Sequence, residues 1–472
     1  MKQSFVLLLF CCAWLKAADS FTITSGLNPH QVLQRSKDGT VRVNLTGTAL
    51  ADGQIAARVS NGPFANLAKI KAGSWTADGP TLKTGGPYTV EIRFTPTNGG
   101  RHVEKVEDVF VGDIYILSGQ SNMVGRARME GPEPPHSKVK SFTPAGKWEE
   151  AKEPLHELTK GLNDVLRGTG LGLPFAKEMV RRTGVPIGLV PCAKGGTSIA
   201  QWDPALKSEG RKSLYGNMLA RFQDVGGKAA GVLWYQGEAD AKPELSSIYA
   251  DKFQKFVAQV RDDFGQPGLP FYYAQIGRYA SEMEPAYEGW NQVQEAQRLS
   301  EALIPNSGMV ATIDLELDDW IHANRPSLQM LGLRFAKLVL DGAKPRFAAA
   351  RWDNPHQIGI QFQGLSGKLL SSGGRTLGFS LVDQNKKPLK LIYRAWIDSA
   401  SNSVVLNLNH QKPIPDQVYV WYGMGLDPIC NLTDESGLAI PTFGPIQVNL
   451  KTAFGYWEMS DQPPMTIGGF VH

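Results

Sequence analysis

Cysteine is almost missing from this chain. Of four in 472 residues, Cys11 and Cys12 fall near the start, leaving only Cys192 and Cys430. Two thiols cannot make a disulfide framework, and two separate buried thiols are expected, with a cross-domain pair left open. An excess of one charge is lacking too. The 49 basic and 45 acidic residues leave a formal net charge of +4, which implies no nucleic-acid partner. Histidine is scarce at eight, and no cluster of Cys and His has metal-ligand spacing, so no metal and no cofactor are expected. Beyond residue 18, no apolar run reaches the roughly 20 residues of a membrane-spanning helix. No internal repeat and no low-complexity segment occurs.

What is present begins with a leader. Lys2 precedes an apolar run from Phe5 to Trp14, and Lys16-Ala-Ala-Asp offers small residues for cleavage after Ala17 or Ala18. That pattern predicts a signal peptide over 1–18 and a secreted or periplasmic protein. The 42% of hydrophobic residues suffices for two or three cores. Residues 19–108 alternate with period two, as in Thr40-Val-Arg-Val-Asn-Leu and Tyr88-Thr-Val-Glu-Ile-Arg-Phe, which predicts a small β-sandwich. Over 109–345 strands alternate with helical patterns. The helices expected there include Leu173–Thr183, closed by Gly184, and Glu244–Phe264, with Tyr249, Phe253, Phe256, Val257 and Val260 on one stripe. This rhythm predicts an α/β fold, a three-layer domain with a mostly parallel sheet. Residues 346–460 read as a second β module and 461–472 as a tail.

Chemistry gathers at the predicted strand ends. Val109–Leu117 is an apolar, β-branched run that stops at Ser118-Gly-Gln-Ser-Asn. Open α/β sheets bind ligands beyond the carboxyl ends of their strands, so Ser121 is placed as a nucleophile, although a turn serine capping a helix would look the same. Gly195-Gly196 and Gln236 follow two further strands. The segment Asp314 to His322 follows another, and there Asp319 stands three residues before His322. Glu153-Pro-Leu-His156 and Asp353-Asn-Pro-His356 share that spacing. His156 lies in a charged, proline-containing insertion and is expected at the surface. His356 introduces an alternating strand and is read as structural.

Gly119-Gln-Ser-Asn-Met123, Lys194-Gly-Gly-Thr-Ser-Ile199, Trp234-Tyr-Gln-Gly-Glu-Ala-Asp240 and Asp319-Trp-Ile-His322 resemble, in order, the four blocks of the sialate O-acetylesterase and acetylxylan-esterase branch of the SGNH hydrolases. Gly73-Ser-Trp and Gly85-Gly-Pro-Tyr extend the resemblance into the amino-terminal β domain. No Gly-x-Ser-x-Gly elbow surrounds Ser121, which argues against an α/β-hydrolase. The resemblance implies an SGNH (flavodoxin-like) hydrolase domain with Ser121 as nucleophile, His322 as base and Asp319 as its orienting acid. It implies an oxyanion hole of the Ser121 and Gly196 amides, Gly195 being second choice, with the Gln236 side chain. Gln236 stands where the superfamily usually has asparagine. Asn122 and Glu238 would support the site, while Trp202 and Arg278 are sugar contacts on this reading.

The function so implied is removal of O-acetyl groups from carbohydrate through an acetyl-enzyme, with a sialate ester or an acetylated xylan or other plant or algal glycan as substrate. A carbohydrate-binding protein with an inert core and a lipid esterase are the rival readings. Nothing in the sequence sets an oligomeric state.

Overall fold

A computed structural model describes residues 21–156, 167–280, 287–409, 414–415 and 417–449. The expected leader and tail lie outside the described residues. The described chain divides into two compact units. One comprises the residues up to Gln31 together with Arg35–Val111, and the other Val32–Gln34 with everything from Gly112 onward. Segments 112–345 and 346–449 thus fall in the same unit.

The first unit is built of antiparallel strands. Phe21–Ser25, Thr40–Ala49 and Gly73–Lys83 form one sheet. Ala65–Ile70, Gly53–Val59 and Gly85–Pro96 pair in that order, and Gly85–Pro96 pairs onward with the first half of a long strand, His102–Gly119. Phe21 stacks on Trp75 at 5.1 Å and on Phe94 at 4.9 Å, placing an aromatic core between residues of both sheets. Gly73–Lys83 was not among the expected strands. Its inward positions include Gly79, and glycine carries no hydrophobic signal; a Cβ there would lie 2.9 Å from Val43 O.

In the second unit the far half of His102–Gly119 is the central strand. It lies parallel to Ile187–Pro191 on one side and Gly231–Tyr235 on the other. Val139–Phe142 extends the sheet beyond Ile187–Pro191, and Phe271–Ala274 and Ser307–Val310 extend it beyond Gly231–Tyr235, all parallel. Trp148–Glu150 adds an antiparallel edge. The result is a mixed α/β architecture with a large, mostly parallel sheet and further β sheets. The central strand is buried along Val109–Val111 and Ile114–Leu117 because apolar side chains face packed neighbours on both sides.

The helices follow the expected faces with two differences. Gly172–Thr183 ends on a left-handed Gly184, and all five stripe residues from Tyr249 to Val260 are buried. The single helix expected over 244–264 is instead Pro243–Ser246 and Tyr249–Asp263, since Pro243 starts one turn and Ser247-Ile248 separates it from the next. A helix over Leu214–Asp224 was not anticipated. Gly216 in its first turn lowers the helical signal, and the fold demands it: a Cβ would lie 2.2 Å from Gly210 O. Cys192 and Cys430 are free and buried, and burial pushes their thiols up to about 11 and about 12.

Beyond residue 345, Arg346–Asn354, Gln357–Gln363, Ser403–Leu408 and Ile392–Asp398 form an antiparallel sheet. Pro388–Leu389, Phe379–Val382, Gln417–Tyr422 and Phe443–Asn449 form another, around a core that includes Ile360, Leu406, Val420 and Phe443. No described helix is long and apolar enough to cross a membrane.

Candidate active site

The central strand ends at Gly119, whose φ of +130° and lack of space for a Cβ, 2.1 Å from Tyr235 O, permit the turn into a short helix, Ser121–Val124. Gln120 N–H donates to Tyr235 O at 2.7 Å, and Lys194 N–H to Gly119 O at 3.0 Å. Both neighbouring strand ends are therefore tied to the turn that carries Ser121. The Gln120 side chain adds to this, since its Oε1 accepts from the backbone N–H groups of Gly237 and Ala239.

Asp319 and His322 sit in a narrow loop. Asp318 N–H donates to His322 O, Asn324 N–H to Glu316 O, and Leu317 bridges Ala323, so the loop is a hairpin closed by backbone bonds. Asp319 Oδ1 accepts from Ile321 N–H at 3.0 Å and His322 N–H at 2.8 Å, an aspartate folding back on its own turn. Its carboxylate also meets His322 Nδ1, at 2.8 Å from Oδ2 and 3.1 Å from Oδ1. Burial alone would raise this carboxyl. The imidazole and two amides outweigh it and hold the group well below the usual carboxylate range. With Nδ1–H committed to Asp319, Nε2 is the ring nitrogen left with a lone pair. The neighbouring Asp318 accepts from Arg128 N–H and takes no part in the pair.

Asn122 joins this loop to Ser121. Its Nδ2 donates to Ile321 O at 3.2 Å and to Glu238 Oε1 at 2.9 Å, and its Oδ1 accepts from Ala323 N–H at 3.1 Å. The residue after Ser121 thus grips the backbone on both sides of His322. On a further side, a Cβ placed on Gly195 would lie 3.6 Å from the Ser121 Cβ, while the space around Gly196, at a φ of +68°, is open. Gly195, the second choice on sequence, is the glycine that lies against Ser121. Among the described residues, the Ser121 hydroxyl and the amides of Gly195 and Gly196 make no hydrogen bond. Ser121 is 8% exposed.

Three residues with expected roles are engaged in other contacts. The Gln236 side chain is fully buried and does not offer a free donor. Its Nε2 donates one hydrogen to Thr197 O at 3.0 Å and the other to Asp240 Oδ2 at 2.5 Å. Asp240 in turn accepts from Ile199 N–H, so Gln236 and Asp240 brace the glycine loop. Trp202, expected at the sugar, is wholly buried. It donates Nε1–H to Thr197 Oγ1 at 3.0 Å and packs edge-on against Trp234, which is a packing role. Arg278 pairs with Asp427 at 2.8 Å and Glu316 at 3.3 Å, so its guanidinium ties the loop after residue 314 to the C-terminal strands. Beside the pair, Trp320 is 58% exposed.

His156 also departs from expectation. It is buried, with Nε2 3.5 Å from Leu117 O, and burial lowers its imidazole to about 4. His356 is exposed in a turn between two C-terminal strands. Glu238 is buried, and burial pushes its carboxyl up against the pull of the Asn122 amide. Gln120 and Asp240 were missed as braces although both stand inside conspicuous motifs; buried polar residues flanking a reactive one were the available signal. Among the described residues, no group of three or more His, Cys, Asp or Glu is arranged to hold a metal ion.

Known proteins share this arrangement of sequence and fold. A family model described as carbohydrate esterase, sialic acid-specific acetylesterase, matches residues 111–341. A probable carbohydrate esterase of Arabidopsis thaliana is 34% identical over 202 residues, 37% of this chain and 74% of that protein. Sialate O-acetylesterase of Mus musculus is 22% identical over 392 residues, 66% of this chain and 71% of that protein. Among solved structures, a carbohydrate acetylesterase from Xanthomonas citri is similar with a TM-score of 0.69 at 25% identity, covering 90% of this chain and 99% of that one.

Proposed function

This chain belongs to the carbohydrate esterase family of sialic acid-specific acetylesterases, and on that premise we propose that it is a secreted serine esterase removing O-acetyl groups from carbohydrate. The reaction centre lies in a three-layer SGNH hydrolase domain over 109–345, between an N-terminal β-sandwich domain, 19–108, and a C-terminal β module, 346–460. The observation that carries the reading is the Asn122 bridge, which brings the Asp319–His322 pair to the residue beside Ser121.

His322 Nε2 takes the Ser121 hydroxyl proton as Oγ attacks the acetyl carbonyl. Negative charge then develops on the carbonyl oxygen, where the amides of Ser121, Gly195 and Gly196 are the donors available. Collapse returns the proton from His322 to the departing sugar oxygen and leaves acetate esterified to Ser121. Water, deprotonated by His322, attacks that ester, and collapse releases acetate as His322 returns the proton to Ser121 Oγ. Asp319 keeps Nδ1–H in place throughout and stabilises the imidazolium. Gln236 is not among the donors in this scheme, because both its amide hydrogens are used.

The mouse relative's name supports a sialate ester as substrate. Acetate release from O-acetylated sialic acid, acetylated xylan and simple sugar acetates tests it. Turnover of the sialate ester, abolished by Ser121→Ala, is expected. Faster turnover of xylan would move the substrate class, and no turnover of any acetate ester would remove the activity.

A further inference from the structure

The C-terminal strands enclose a cleft of 560 Å³, none of whose lining residues belongs to the site above. Its volume lies within the roughly 300–1,000 Å³ of small-molecule sites. One wall carries Tyr393, 61% exposed, and Trp396; another carries Phe379. Asn407 fixes the first pair from beneath, accepting from Trp396 Nε1–H at 3.0 Å and donating to Tyr393 Oη at 3.2 Å. An exposed tyrosine held this way loses little freedom when a ligand covers it.

Charge in the cleft has one sign. Arg375 and Arg394 line it and no acidic residue does. Neither guanidinium forms an ion pair among the described residues, whereas Arg182, Arg298 and Arg334 each pair with a carboxylate. Arg394 stands over the Trp396 ring at 5.4 Å, which leaves its planar fork supported by an aromatic face. Aromatic faces stack on the C–H faces of sugar rings, and arginine forks bind carboxylates in a bidentate manner.

We propose that this cleft is a second glycan-binding site, specific for a sugar unit that bears a carboxylate. Uronates and sialates share that chemistry. The site would hold an acidic unit of a glycan during deacetylation elsewhere on the same molecule. Its link to deacetylation rests on the proposed esterase function, while its location and ligand class do not depend on the roles assigned to Ser121 and His322.

Titration calorimetry on the full wild-type chain tests it, with three non-acetylated probes: an oligoglucuronate, sialyllactose and neutral xylohexaose. Binding of at least one acidic probe, weakened by added salt, is expected, with xylohexaose much weaker. The double variant Arg375→Gln/Arg394→Gln should lose about tenfold or more in affinity, as expected for lost charge-assisted hydrogen bonds. Its hydrolysis of a small acetate ester should stay unchanged. Tyr393→Ala, which leaves both charges, should weaken the same probe. Which acidic probe binds identifies the source of the carboxylate. No binding of either acidic probe, equal binding of xylohexaose, or wild-type affinity in both folded variants overturns the site.

Discussion

Two of the carboxylate-x-x-His segments of this protein do opposite things with the same short pattern. In Asp319-Trp-Ile-His322 the carboxylate turns back on the amides of residues 321 and 322 and meets the ring. In Glu153-Pro-Leu-His156 the longer carboxylate reaches away, accepting from Gly170 N–H at 2.8 Å and Glu133 N–H at 3.0 Å. His156 is left buried, with Nε2 3.5 Å from Leu117 O and no carboxylate partner among the described residues. The difference teaches that carboxylate-x-x-His is a statement about reach. The short Asp319 side chain turns back on its own loop, whereas the extra methylene of Glu153 lets backbone amides of other segments compete for it.

The sharpest way to break the comparison is to remove each imidazole. Ser121→Ala and His322→Ala should each lower kcat on a small acetate ester by on the order of 10⁴ or more, with unchanged thermal melts. His156→Ala should leave kcat within a few-fold of wild type and lower the melting temperature. Equal kinetic losses at both histidines would erase the distinction drawn here.

Asp319→Ala should cost less than His322→Ala, between about 10² and 10⁴ in kcat, because an unoriented imidazole still acts as base part of the time. Asp318→Ala should be nearly silent. If Asp318→Ala proves the more damaging, the Asp319–His322 hydrogen bond is not what orients the base.

The two histidines also differ in what acid does. His156 has its folded pKa lowered to about 4, below the ordinary value of roughly 6.5. As pH falls through that window the unfolded chain binds the proton first, so stability is present above about 6.5 and lost towards 4. The loss would total about 3 kcal/mol for this residue. Urea midpoints measured from pH 7 to pH 4.5 should therefore fall more steeply for wild type than for His156→Gln. Parallel curves would show that His156 is not held neutral by burial.

The smallest effect concerns the brace beneath the glycine loop. Gln236→Ala leaves Thr197 O without its donor and Asp240 with only Ile199 N–H, and should cost about 1–3 kcal/mol of stability. Gln236→Glu should be worse, because it sets a carboxylate against Asp240. An oxyanion donor would behave differently, losing roughly 10² to 10³ in kcat with the melt untouched. Thermal melts and kcat measured together separate the two roles.

Much of the architecture is legible in the sequence. The apolar run from Val109 to Leu117 could only be a buried strand, and the stripe from Tyr249 to Val260 could only face a core. The Leu214–Asp224 helix was hidden because Gly216, which the packing against Gly210 requires, weakens the local pattern. Cooperation between distant residues was likewise invisible, as in the Arg278–Asp427 pair, 149 positions apart.

The amino-acid sequence by itself determined what lies within one turn: the strand ending at Gly119, the serine after it, and an aspartate three residues before a histidine. Short-range sterics and local hydrogen bonds set those features. Only the tertiary structure decided how the His322 loop is held to the residue after Ser121, since Asn122 bonds its backbone across about 200 residues of chain. It also decided that the buried Gln236 and Trp202 side chains both donate to one residue of the glycine loop. A buried donor takes whatever acceptor the packed neighbours present, and for both residues that neighbour is Thr197.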